Sequence, residues 1–181
     1  MTTLGTRWLA DTSLQFRKYK ALAEGALAQV ADEDFFRTID PESNSIALVV
    51  KHIAGNSLSR WTDFLTSDGE KSGRRRDSEF EREQPDTRES LLARWEAGWA
   101  QLFATLAALT EGDLLAEVRI RGEAHSVLQA VHRQLTHYAY HVGQIVLLAR
   151  HFAGGRWQSL SIPRGRSKDL EVAKDGRPYR P

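Results

Sequence analysis

Apolar residues over positions 6–30 recur at three- and four-residue steps: Trp8, Leu9, Leu14, Phe16, Tyr19, Leu22, Ala23, Ala26, Leu27 and Val30. That spacing predicts an amphipathic helix, in which Gly25 costs about 1 kcal/mol against alanine. The next stretch, ADEDFFRTIDPESNS, contains Asp40-Pro41 and reads as a link. Ser43, Asn44 or Ser45 then caps a second helix over about 45–66, closed by Thr66-Ser67-Asp68-Gly69. A third helix is predicted over 88–109, opened by Thr87 and Ser90, with Leu91, Leu92, Trp95, Trp99, Leu102, Phe103, Leu106 and Leu109 in its stripe. Ser126 opens a fourth, which runs to about 152 and is closed by Gly154-Gly155.

The segments between these helices differ in kind. Residues 68–87 are densely charged, with Phe80 as the lone apolar anchor, and read as a long surface crossover, mobile or lid-like. In LAEVRIRGEAH, Val118 and Ile120 alternate with charges, which allows at most one short strand or hairpin arm. Four helices of roughly 20 to 27 residues predict an all-α fold, a four-helix bundle with a long charged crossover and a short β insert before helix four. Residues 1–155 form that domain. Residues 156–181 are an irregular tail with seven basic and three acidic side chains, where Pro163, Gly165, Gly176, Pro178 and Pro181 forbid a long helix.

Composition narrows the function. A chain of 181 residues is expected to form one domain. Lys and Arg number 25 against 24 Asp and Glu, so net charge gives no reason to expect nucleic acid as a partner. No apolar run reaches membrane-spanning length, and MTTLGTRWLADTS is not a signal peptide by pattern, so the expectation is no membrane association and a cytoplasmic location. There is no cysteine, which excludes disulfide scaffolds, thiolate metal sites and cysteine nucleophiles. Any metal site must draw on carboxylates and on the six histidines.

The fourth helix sorts these histidines. With Tyr138 as origin and about 100° per residue, Val127, Val131, Leu135, Val142, Ile145 and Val146 fall mostly within about 60° of it, forming the core stripe. His141 falls at about −60° and His137 at about −100°, with Gln134 beside them at about −40°. His132 and His151 fall on the outer side. Two histidines one turn apart can converge on one divalent ion, and the same spacing also occurs in purely structural pairs. The glutamate of the zinc-protease motif is missing from His137-Tyr138-Ala139-Tyr140-His141.

On the second helix His52, Asn56, Ser59, Asp63 and Ser45 share a polar stripe opposite the apolar arc. Periodicity favours a solvated face with His52 merely on it; the small size of these residues would equally suit a cavity wall. Asp63 lies roughly 16 Å along the axis from His52, too far to share an ion. Asn56, Arg60, Asp63 and Gln134 are candidates for substrate contacts or for supporting the ligands, with Arg60 suited to a substrate carboxylate. His125 reads as a capping or surface residue and Arg74-Arg75-Arg76 as a solvated turn, while core packing accounts for Trp8, Trp61, Trp95 and Trp99.

The strings KHIAGN, SRWTDFLTSDGE, RQLTHYAYHVGQIV and SLSIPRG resemble the DinB-like superfamily of helical metalloenzymes over residues 5–168. The resemblance implies one divalent metal, zinc or nickel, held by His52, His137 and His141, and it implies a homodimer. It does not fix an activity: relatives include transferases and isomerases that use low-molecular-weight thiols, and others described as hydrolases.

Three imidazoles leave coordination positions open, as in catalytic sites. The expectation is a metal-dependent enzyme in which a thiol cofactor or water is activated toward a small electrophilic substrate. Hydrolysis also needs a general base, and Asp63 and Glu123 are not compellingly spaced for it. That favours transfer from a borrowed thiol, with hydrolysis as the alternative and a non-enzymatic metal-binding or interaction module as the competing class.

Overall fold

A side-chain hydroxyl starts each of the four long helices. The computed structural model describes residues 2–166, and in it Thr3, Ser45, Thr87 and Ser126 accept the N–H groups of Thr6, Leu48, Ser90 and Gln129. These caps open α1 (Leu4–Leu27), α3 (Ile46–Trp61), α4 (Arg88–Ala108) and α5 (Val127–Ala153). At Thr87 and Ser126 the cap is reciprocal, because Ser90 and Gln129 accept the cap residue's own N–H. The predicted link after α1 holds a single further turn, α2 (Asp32–Phe35). Arg88, at the start of α4, donates to the Leu27 and Val30 carbonyls and so closes the end of α1.

The second predicted helix ends earlier than the periodicity suggests, at Trp61 rather than near 66. Its last carbonyl is taken by Gln101 Nε2 and Thr105 Oγ1, at 3.1 and 2.8 Å. Asp63 then turns to a left-handed φ of 48°, and its carbonyl collects the N–H groups of Thr66 and Ser67.

The β insert is a complete hairpin rather than one arm. β1 (Glu117–Ile120) pairs antiparallel with β2 (Glu123–Ser126). Its two-residue turn, Arg121-Gly122, has φ of 56° and 79°, a conformation that glycine adopts without steric cost. The Asp68 carboxylate accepts both turn N–H groups, at 2.9 and 2.7 Å, which pins the hairpin tip to the start of the crossover.

The chain is mostly helical, with this one small sheet among the described residues. α1 packs on α5 and α4, and α3 on α4 and α5. Phe16, Trp61, Trp99 and Tyr138 meet edge to face at the centre, Phe16 standing 6.0, 6.3 and 5.8 Å from the other three. Burying Phe16 fully contributes about 2–3 kcal/mol. Trp61 Nε1 donates to Tyr138 Oη at 3.3 Å, which gives the buried phenol a partner.

The charged crossover is packed down rather than held off the surface as a lid. Lys51, 1 % exposed on α3, donates to the Glu81 carbonyl and to the Glu83 and Asp86 carboxylates, all at 2.8–2.9 Å. A single 3-10 turn, Asp77–Phe80, follows the chain across α3. Of the expected tail, Gln158 exchanges two hydrogen bonds with Gln29, just past the end of α1, and Leu160 lies against Gly25 on α1. Residues 167–181 of the tail lie outside the described residues.

Candidate metal centre

The polar stripe on α3 is not a solvated face. Ser45, His52, Asn56 and Ser59 are buried, as is Arg60 beside them, whereas Asp63, past the end of α3, is exposed. The charged segment covers His52 through Glu79 and Ser59 through Gly69 and Lys71, and Gln134 of α5 covers Asn56. This is where periodicity misleads: it reads a helix against one neighbour and cannot see a charged loop folded over the other side.

Beneath that cover His52 meets the two histidines of α5. His137 Nε2 stands 3.2 Å from His52 Nε2 and 3.0 Å from His141 Nε2. One nitrogen from each ring lies within 4.8 Å of the others. His52 is 3 % exposed, His141 nearly as buried and His137 half-buried.

The outer nitrogens decide which way the lone pairs face. His52 Nδ1 lies 2.8 Å from Glu79 Oε2, and a carboxylate there only accepts, so the imidazole donates from Nδ1. His141 Nδ1 lies 2.8 Å from Gln144 Oε1 and donates in the same sense. In their neutral form both rings therefore turn an unprotonated Nε2 inward. His137 Nε2 carries at most one proton, which cannot satisfy two inward lone pairs together, and its Nδ1 is buried without a partner. Three nitrogens on a divalent ion with bonds of about 2.0–2.1 Å stand about 3.3 Å apart in tetrahedral geometry. The donor set thus has the chemistry and nearly the spacing to hold a metal ion.

Electrostatics oppose protonation of His137 and His141. Burial, reinforced by the proximity of His141 and His52 and by Arg74 and Arg60, brings His137 down to about 3. Burial also lowers His141, with His52 adding to the effect and the Gln144 hydrogen bond opposing it. For Glu79, burial acts to raise the pKa, but hydrogen bonds from His52 and Arg74 outweigh it and the net shift is downward.

Glu79 is the residue that the sequence reading missed. Arg74 Nε and Nη2 hold its two oxygens at 2.7 Å each, a bidentate pair, and Arg74 Nη1 continues to Glu70. The Arg74-Arg75-Arg76 run is accordingly not a solvated turn throughout, because the Arg74 side chain is only 5 % exposed. The available signal was Phe80, an isolated aromatic in a charged run. It stacks at 4.7 Å on the His52 ring and pulls its neighbour Glu79 into place. Gly55 completes the fit, since a Cβ there would stand 2.8 Å from Glu79 Cδ.

The other candidates separate. Asn56 and Gln134 meet, Gln134 Nε2 donating to Asn56 Oδ1 at 2.6 Å, in the wall of a cavity of about 180 Å³ that also includes His52, His137 and Arg60. Asp63 is not with them. It borders a larger cavity of about 520 Å³ lined by α3, the crossover and Arg94, which includes none of the three histidines. His132 and His151 are exposed as predicted, and His125 is half-buried with Nδ1 near the Glu123 carbonyl.

A mostly helical chain with three histidines converging under a charged strap defines the class of protein. The chain belongs to the family described as protein of unknown function (DUF1572), matched over residues 3–166. No curated protein and no solved structure matches it. Among the described residues, no helix is long and apolar enough to cross a membrane.

Proposed function

We propose that this chain is a metal-dependent enzyme of the DinB-like type, its long helices forming a four-helix bundle around one divalent ion, zinc or nickel, held by His52, His137 and His141. The convergence of three Nε2 atoms with two lone pairs forced inward carries the reading. A divalent ion so held supplies Lewis acidity and lowers the pKa of a thiol or water brought to it.

The protein's own groups favour transfer over hydrolysis. Glu79 is the carboxylate beside the histidines, and both its oxygens are committed to Arg74 and His52, so it orients a ligand rather than serving as a free base. Without cysteine in the chain, the nucleophilic sulfur would arrive on a low-molecular-weight thiol. The role of the protein is then to orient His52 through Glu79, to shield the site beneath the crossover, and to bind a small electrophilic substrate beside Asn56 and Gln134. The proposed location is cytoplasmic and the proposed assembly a homodimer. Exposed Tyr140 and Leu147, seven residues apart on α5, offer an apolar face for a second copy.

Metal content of untagged protein tests the first step. Wild type should carry close to one equivalent of metal, and His52→Ala and His137→Ala should lose it; a metal-free wild type would sink the reading. Loaded protein should then consume an electrophile in the presence of a small thiol, and should leave a panel of esters and amides intact. Hydrolysis of that panel would replace transfer with the hydrolase reading, and silence in both assays would favour a binding module.

A further inference from the structure

The cavity beside the histidines has a strongly one-sided wall. Arg60, Arg74, Arg76, Arg121 and Arg133 reach it from α3, the crossover, the hairpin turn and α5. Two carboxylates answer them. Glu79 is taken by Arg74 and His52, and Glu70 is shared among Arg74, Arg121 and, at 3.9 Å, Arg60. Arg76 and Arg133 pair with no carboxylate among the described residues, and Arg76 lies over the Phe80 ring instead.

Arg60 is the telling member of this set. It is 3 % exposed, and its Nε and Nη1 are buried without an acceptor. Burial lowers its pKa, and Glu70 only partly offsets this. A guanidinium withdrawn from water and left short of acceptors is a costly arrangement for a structural role alone. An oxyanion entering the cavity would meet the guanidinium groups that line it and offset the buried charge of Arg60, and the low-dielectric wall would strengthen that attraction. At about 180 Å³ the space suits a group the size of a carboxylate or phosphate with a short carbon chain.

We infer that this arginine-walled cavity is the recognition pocket for a small oxyanion, so that the substrate or thiol acted on at the histidines carries a carboxylate or phosphate group. This deepens the proposed metal-dependent function and rests on it for the ligand being a substrate; the anion site itself stands on Arg60 and its neighbours. Asn56 and Gln134, already bonded to each other, would line the neutral part of the same ligand.

Calorimetric titration of the full chain, stripped with chelator and separately loaded with zinc, tests it with three probes at one ionic strength: succinate, inorganic phosphate and uncharged succinamide. At least one anion should bind both forms at least tenfold more tightly than succinamide. Arg60→Gln should lose at least tenfold of that affinity. Should Arg60→Gln fail to fold by circular dichroism, Arg76→Gln combined with Arg133→Gln, both at exposed positions, should produce the same loss. Preference for succinate or phosphate then names the head group. Equal binding of succinamide, or anion binding unchanged in the arginine variants, would overturn the inference. Metal content read on the same preparations keeps the two ideas apart. Arginine-dependent anion binding in a wild type that takes up no metal would defeat only the metal reading, and loaded protein without that binding would defeat only this one.

Discussion

Glu79 Oε2 accepts a hydrogen bond from His52 Nδ1 at 2.8 Å, across the gap between the charged crossover and α3. The contact fixes the tautomer of His52 and turns its free lone pair toward His137 and His141. Outer partners of this kind commonly raise metal affinity by about 10- to 100-fold. Glu79→Gln, which keeps the size and removes the charge, should therefore weaken zinc binding by about that factor in competition against a chelating indicator. Unchanged affinity would mean that His52 is oriented by its packing alone.

Gly55 makes room for that carboxylate, so Gly55→Ala should act through Glu79 rather than on α3 itself. Alanine is otherwise the better helix former, by about 1 kcal/mol. The expectation is weaker zinc binding with little loss of helix stability. In a Glu79→Ala background the clash is gone, and Gly55→Ala should then leave zinc affinity unchanged, a non-additivity that a double-mutant cycle reads directly. Additive effects would place the cost of the Cβ elsewhere.

Lys51 ties the same crossover to α3 from the other side. Its ammonium is buried against Asp86, itself 7 % exposed, and against the more open Glu83. Lys51→Met leaves Asp86 buried without its cation, which should lower the unfolding free energy by about 2 kcal/mol in urea titration. Because residues 81–86 would be released, zinc affinity should fall as well. A stable variant with full affinity would show that Phe80 and Arg74 hold the strap without Lys51.

Much of the scaffold is legible in the sequence because apolar period and hydroxyl caps are local properties. Ser126 and Thr87 place their helix starts to the residue, and the His137–His141 pair follows from a single helix wheel. His52 is different. Its neighbours read as a solvated stripe, and the strap together with Gln134 and His137 of α5, all from other parts of the chain, turns that stripe inward. Glu79 and Arg74 were hidden for the same reason: a charged residue in a charged run gives no sign of burial until its partners are known. The end of α3 slipped by five residues because Gln101 and Thr105 on α4, far along the chain, hold the Trp61 carbonyl.

His137 makes the stability of the protein fall as the solution turns acid. In the unfolded chain its imidazole takes up a proton near 6.5, whereas the folded cluster resists protonation down to about 3. Between those values the unfolded state binds more protons, so stability is complete above about 6.5 and declines as pH falls toward 3. A single group gives a slope of at most about 1.4 kcal/mol per pH unit, and half-burial makes it smaller here. His141, also lowered by burial, acts in the same direction. Chelator-treated wild type should show a urea midpoint that falls from pH 7 to pH 5, and His137→Gln a flatter profile. Zinc-loaded wild type should fall more steeply, because protons then compete with the metal for the same nitrogens. A metal-free midpoint that is flat or rises toward pH 5 would mean that His137 and His141 accept protons readily in the fold, and that burial does not hold these two rings neutral.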